Sequence, residues 1–240
     1  MGREPAERRV LLKLSGGVFS GRGDKPFQQE ALSFIAEELA AALQRGSQLA
    51  VVLGGGNMIR GAALVREGEG RLLADYAGMF ATAVNVLVLR AQFLRRGVPA
   101  SHYCAIEVGA LAEKFSRARC IQDMEGGKVV LLAGGTGNPL FTTDTAAALR
   151  AVELGAGLLL KATRVDGVYS ADPEKDPGAE RFERLSYQDV LERRLAVMDL
   201  AAISLCMEHS IPIRVFDYSV RGNIGRAIAG ENIGTLIGSQ

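Results

Sequence analysis

Three times along this chain a short, mainly apolar run stops at a glycine cluster. Val10 to Leu14 ends in Ser15-Gly16-Gly17, Leu49 to Leu53 in Gly54-Gly55-Gly56, and Val129 to Ala133 in Gly134-Gly135. Runs that are apolar at successive positions, not alternate ones, belong to strands buried on both faces, as in parallel sheets covered by helices. The intervening segments have the spacing that covering helices need. Leu32, Ile35, Leu39 and Leu43 recur at helical intervals within 28–45 ahead of Gly46, and 72–96 reads as a long helix closed by Gly97 and Pro99. Further along, 143–154, 188–194, 200–209 and 224–229 read as helices, and 158–162, 213–216 and 235–237 as strands. The expected fold class is α/β, a three-layer α/β/α arrangement around a mostly parallel central sheet. The polar, proline-containing stretch 171–184 reads as an exposed loop and not a linker, because periodic elements resume after it. Residues 1–240 are therefore expected to form a single domain.

Composition removes several classes of function. A formal net charge of +1 over 240 residues gives no broad positive field, which argues against nucleic-acid binding driven by phosphate neutralisation. No uncharged run reaches the roughly 18 residues of a membrane span, and the first residues are too charged for a secretory signal. Cys104, Cys120 and Cys206 show no close pairing, and His102 and His209 stand alone. A disulfide framework or a zinc site is not expected, and a cytoplasmic location with buried free thiols is.

In an open parallel sheet the strand C-termini line one edge, and ligands bind in the crevice there. Glycine lets successive backbone N–H groups approach phosphate oxygens, and a helix N-terminus beside them adds about half a positive charge. Three such loops at one edge point to a site for several phosphates. No G-x-x-x-x-G-K-[ST] stretch is present, which excludes a Walker-type site, and no G-x-G-x-x-G spacing supports a dinucleotide fold. Lys13 and Lys161 each stand near the end of an apolar strand. Either they reach solvent from the strand end, or they neutralise charge on a transferring phosphoryl group, the reading preferred here. Asp144, at the start of a helix, either caps it or orients both ammonium groups.

The segments Lys13 to Gly16, Gly54 to Asn57 with Arg60-Gly61, Gly135 to Asp144, Lys161 to Tyr169, Ala171-Asp172-Pro173 and Val197 to Ala201 resemble the bacterial uridylate kinases. The similarity runs from about Val10 to Ile237. It implies the amino-acid kinase (carbamate kinase-like) fold and direct transfer from ATP to UMP within pyrimidine nucleotide synthesis, with Mg2+. Lys13, Lys161 and Asp144 are then catalytic. Lys13, Leu14, Ser15, Gly16, Gly56, Arg60, Thr163, Tyr169 and Asp172 are expected to bind ATP. Gly55, Arg60, Asp75, Thr136, Gly137, Asn138, Pro139, Leu140, Phe141, Thr142 and Thr143 are expected to hold UMP. The N-terminal half is thus mainly UMP-binding and the C-terminal half mainly ATP-binding. No side chain is assigned to the metal, and Asp199 is left open between a nucleotide contact and a helix cap. The resemblance also implies a homohexamer, inhibition by UTP, and a GTP effector response that is weak or altered here, since Ala91, Leu94 and Ser101 stand where polar groups are expected. The rival reading is a non-catalytic nucleotide-binding or storage protein on the same fold.

Overall fold

The computed structural model describes residues 9–21, 25–43, 46–59, 70–176 and 178–239. In chain order the elements are β1 (Arg9–Leu14), α1 (Gln29–Leu43), β2 (Gln48–Leu53), α2 (Arg71–Arg95), β3 (Ala100–Cys104), β4 (Glu113–Lys114), α3 (Arg117–Glu125) and β5 (Val129–Ala133). These are followed by α4 (Thr143–Leu154), β6 (Leu158–Thr163), β7 (Val168–Tyr169), β8 (Arg181–Phe182), β9 (Arg184–Ser186) and α5 (Tyr187–Glu192). The chain closes with α6 (Leu200–Glu208), β10 (Ile213–Asp217), α7 (Asn223–Ile228) and β11 (Thr235–Gly238).

Nine strands form one sheet in the order β4-β3-β5-β2-β1-β6-β10-β11-β9. Every neighbouring pair is parallel except β10–β11. Side chains alternate between the two faces of a strand, and the core divides accordingly. Leu12, Leu14, Val51, Leu131 and Leu160 pack with α1, α2 and α7 on one face. Leu11, Ala50, Val52, Val130 and Leu159 pack with α3, α4, α5 and α6 on the other. The expected three layers and mostly parallel sheet are present. On α4, Ala146, Ala147, Ala148 and Ala151 are fully buried, so this helix lies close against the sheet.

The sequence reading missed β3 and α3. β3 carries the partly exposed Ser101 and His102 between buried neighbours, and α3 buries only Cys120 and Met124, one turn apart. The helix expected over 188–194 ends at Glu192 instead, and Arg194 takes a left-handed φ of 52°. Residues 170–176 are exposed, but the loop expected over 171–184 closes into structure at its end: β8 pairs antiparallel with β7, and β9 forms an edge of the main sheet. Cys104, Cys120 and Cys206 are buried free thiols.

Among the described residues one helix, α2, is long and apolar enough to cross a membrane. Its longest uncharged run is Tyr76 to Leu89, and its Val86, Leu89 and Phe93 belong to the core.

Candidate active site

Strand register brings the two lysines together. β1 and β6 are parallel neighbours in which Lys13 stands opposite Lys161. Lys13 shares a strand face with Leu11, and Lys161 with Leu159, so both ammonium groups project towards the layer that contains α4. Thr142 caps that helix, its hydroxyl accepting from the N–H groups of Asp144 at 3.0 Å and Thr145 at 3.4 Å. This fixes Asp144 in the first turn, where the helix dipole favours a carboxylate. Asp144 Oδ1 lies 2.7 Å from Lys13 Nζ and Oδ2 lies 2.7 Å from Lys161 Nζ. Lys161 also donates to the Val197 carbonyl.

All three side chains are largely buried, between 11% and 15% exposed. Burial pushes the Asp144 carboxyl up, but the two adjacent lysines outweigh it and hold the group below its ordinary range. Burial, with Lys13 adding to it, lowers Lys161 against the pull of Asp144. The result is one anion shared by two cations, which leaves net positive charge for a further anion.

Two cavities lie beside this triad, one reaching the residues just ahead of Asp144 and the other reaching Lys161. The first, of about 350 Å3, is lined by Gly55, Gly56, Asp75, Phe141, Thr142 and Thr143 among others. The second, of about 540 Å3, is lined by Lys161, Thr163, Tyr169, Asp172 and the segment from Arg193 to Val197. The glycine loops lie against each other. A Cβ on Gly16 would fall 2.8 Å from the Gly54 carbonyl oxygen, and one on Gly55 would fall 2.7 Å from that of Gly78. Neither position has room for a side chain.

The long helix α2 holds two of the three loops. Asn85 donates to the Gly54 carbonyl at 2.6 Å, Thr82 Oγ1 accepts from the Gly134 N–H at 2.8 Å, and Asp75 Oδ2 accepts from the Leu140 N–H at 2.8 Å. Asp75 is also gripped by Arg71, whose Nε lies 3.1 and 3.0 Å from its two oxygens. The Asp75 bond holds Leu140 at an unfavourable φ of 73°, just ahead of the residues that line the first cavity.

Most of the expected site residues converge here, with informative exceptions. The Leu14 side chain is fully buried in the core, and its carbonyl accepts from the Gly54 N–H at 2.8 Å, so it reaches the site only through backbone. Ser15 Oγ accepts from the Gly17 N–H at 3.3 Å. Gly56, expected with ATP, lines the first cavity. Thr136, Gly137, Asn138, Pro139 and Leu140 line neither cavity, and Thr136 closes its own turn against Asn138. Thr163 donates to the Val165 carbonyl at 2.6 Å and Tyr169 to Asp166 at 2.7 Å. Asp172 accepts from the Glu174 N–H at 3.1 Å and pairs with Lys175 at 3.2 Å. Arg60 lies outside the described residues.

Sequence reasoning missed Arg193 to Val197 as a cavity wall. Asp199, left open there, both caps α6 through the Ala202 N–H and accepts from the hydroxyls of Thr142 and Thr145. Among the described residues no group of three or more His, Cys, Asp or Glu side chains is placed to hold a metal.

Two cavities beside a buried lysine–aspartate–lysine triad, at the glycine-loop edge of a parallel sheet, suit an enzyme that moves an anionic group between two bound molecules. The sequence model of the amino acid kinase family matches residues 8–217, and the chain belongs to that family. A UMP kinase structure from Bacillus anthracis is 34% identical, with a TM-score of 0.93 over 97% of this chain and 96% of that one. A UMP kinase from Ureaplasma parvum is 30% identical, with a TM-score of 0.91 over 97% and 99% of the two chains. A uridylate kinase from Archaeoglobus fulgidus is 31% identical, with a TM-score of 0.73 over 95% and 99%.

Proposed function

We propose that this chain phosphorylates UMP to UDP with ATP by direct in-line transfer. The observation that carries this reading is the Lys13–Asp144–Lys161 triad beside two cavities, in a chain of which 97% aligns with UMP kinases. ATP occupies the cavity beside Thr163, Tyr169 and Asp172, with its phosphates directed towards Lys161, Lys13 and the Ser15-Gly16 loop. UMP occupies the cavity beside Gly55, Asp75 and Thr142-Thr143.

Lys13 and Lys161 stabilise the charge spread over the moving phosphoryl group, and Asp144 fixes both lysines before any substrate arrives. The acceptor is already an anionic phosphate, so no strong base is needed, and positioning with electrostatics carries the rate. Mg2+ supplies further charge neutralisation between phosphates when bound. The Asp144 oxygens face two lysines and those of Asp199 face two hydroxyls and an N–H, so neither carboxylate is free to hold the ion, which would be carried by the nucleotide. The same triad argues against a storage protein, which has no use for paired ammonium groups at the junction.

Purified protein with Mg-ATP is expected to release ADP strongly with UMP and weakly with AMP or no acceptor, with CMP and dUMP run as comparators. Flat release with every acceptor, from folded protein that still binds ATP, overturns this assignment in favour of the storage reading. Asp75→Asn is expected to raise the KM for UMP at least about tenfold, because the Leu140 N–H and Arg71 both lose a carboxylate partner. The KM for ATP stays within about twofold. Equal effects on the two substrates contradict the placement of UMP.

Regulation and assembly follow the resemblance. UTP competes at the UMP cavity. A cavity of about 680 Å3 beside Arg90, Ser101, Lys114 and Arg119 lies where an effector nucleotide is expected. Arg119 there is already paired with Glu113, and Leu94 on the same end of α2 is bare and apolar. A GTP titration is therefore expected to change turnover less than about twofold, and a large rise refutes this. Leu73, Tyr76, Phe80, Val84 and Leu94 form an exposed apolar stripe along α2, which supports burial against another copy in a homohexamer. A cytoplasmic location fits the nucleotide substrates.

A further inference from the structure

The junction between the two glycine loops is held by a pair of side-chain amides that the mechanism above does not use. Asn85, midway along α2, is fully buried. Its Nδ2 donates to the Gly54 carbonyl at 2.6 Å and to Asn57 Oδ1 at 2.7 Å. Asn57 Nδ2 donates back to Asn85 Oδ1 at 3.0 Å and to the Pro26 carbonyl at 2.9 Å. Every amide hydrogen of the pair is engaged, and all the bonds but the reciprocal ones end on loop backbone. A leucine would fill the Asn85 position inside a helix without burying an amide, so packing alone gives no reason for the residue.

The pair also touches the loop after β1. A Cβ on Gly16 would fall 2.4 Å from Asn57 Oδ1 and 2.9 Å from the Gly56 nitrogen. The loop that faces the ATP phosphates and the loop that walls the UMP cavity therefore meet at the Asn57 carboxamide, and Asn85 anchors that carboxamide to α2. Neither asparagine lines either cavity.

We propose that Asn57 and Asn85 are positioning residues that set the separation between the donor and acceptor phosphates. The proposal rests on the UMP kinase reading. In-line transfer requires the reacting atoms to approach within about 3–3.5 Å, and a misplacement of about 1 Å costs roughly a hundredfold in rate. A small shift of Gly54–Gly56 relative to Ser15-Gly16 changes that approach while leaving each nucleotide's own contacts in place. The signature is a loss in kcat with little change in either KM. A second signature is leakage, because a poorly aligned acceptor lets water take the phosphoryl group and release inorganic phosphate.

The test uses Asn57→Ala, Asn85→Leu and the double variant, each assayed for UDP formation, for inorganic phosphate release and for thermal midpoint. Each single variant is expected to lose at least about tenfold in kcat with both KM values within about threefold, and to release a larger share of phosphate per UDP formed. The double variant is expected to be no worse than the weaker single, since the two act as one unit. A kcat within threefold of the parent in Asn57→Ala overturns the proposal. So does a rise in KM at constant kcat, or additive losses in the double variant. If Asn85→Leu fails to fold, Asn57→Ala decides alone, because its side chain is only half-buried. A parent protein with no UMP-dependent turnover overturns the functional reading itself, whereas an active parent with unaffected variants overturns only the role of the pair.

Discussion

Replacing Lys161 with alanine lowers kcat by about a hundredfold to a thousandfold, the loss that follows removal of a preorganised charge at the reacting group. The residue is well placed for so large an effect. Among the described residues it is one of two ammonium groups paired with Asp144, and burial removes the water that would otherwise screen it. Its removal leaves Lys13 paired to Asp144, so the chain retains its fold and ATP still binds through its other contacts. The check is steady-state UDP formation together with the thermal midpoint; full turnover in the variant would remove Lys161 from the catalytic group. A pH profile adds an independent reading. Burial lowers Lys161 from the ordinary lysine value, so the alkaline limb of kcat/KM for the parent enzyme falls below the usual lysine range.

Asp144→Asn produces the second large effect, on activity and stability together. The amide is nearly isosteric but carries no charge, and it leaves two ammonium groups side by side in a largely buried site. Breaking a buried ion pair in this way costs about 3–5 kcal/mol, and turnover falls by about a thousandfold as both lysines leave their set positions. The sign with pH follows from the carboxyl being held below its ordinary range. Its contribution is complete above the usual carboxylate values and disappears only as pH falls through the lowered one. Urea unfolding at neutral pH should therefore separate parent and variant widely, and at low pH the two should converge. A constant gap across that range would place the stabilising interaction elsewhere.

The parts of the molecule that could be read from sequence share a physical cause. β1, β2, β5 and β6 are buried on both faces, so their residues are mainly apolar in succession, and backbone contact leaves no room for a side chain at Gly16, Gly55 or Gly134 after the first three. β3 and α3 gave no such signal, because Ser101, His102 and the charged face of α3 are only partly covered. In the site, Lys13, Asp144 and Lys161 were each visible, but only the β1–β6 register makes them neighbours. The Arg193–Val197 wall and the Asp199 bonds to Thr142 and Thr145 depend on where α5 ends and α6 begins. No local pattern announces that meeting with α4. The Asn57–Asn85 pair was hidden for a further reason: an asparagine inside a helix reads as a weak helix former until its bonds to other segments are known.

The position of β1 has a consequence for synthesis. One of its partners, β2, follows directly after α1, whereas the other, β6, comes after β3, β4 and β5 have been made. A nascent chain that has completed its first half therefore carries β1 as an outer strand, with Val10, Leu11, Leu12 and Leu14 lying along open hydrogen-bonding groups. Lys13 sits within that run, and a charge inside an apolar edge opposes edge-to-edge pairing. The side chain that faces Asp144 in the finished fold thus also interrupts the apolar run of the open edge.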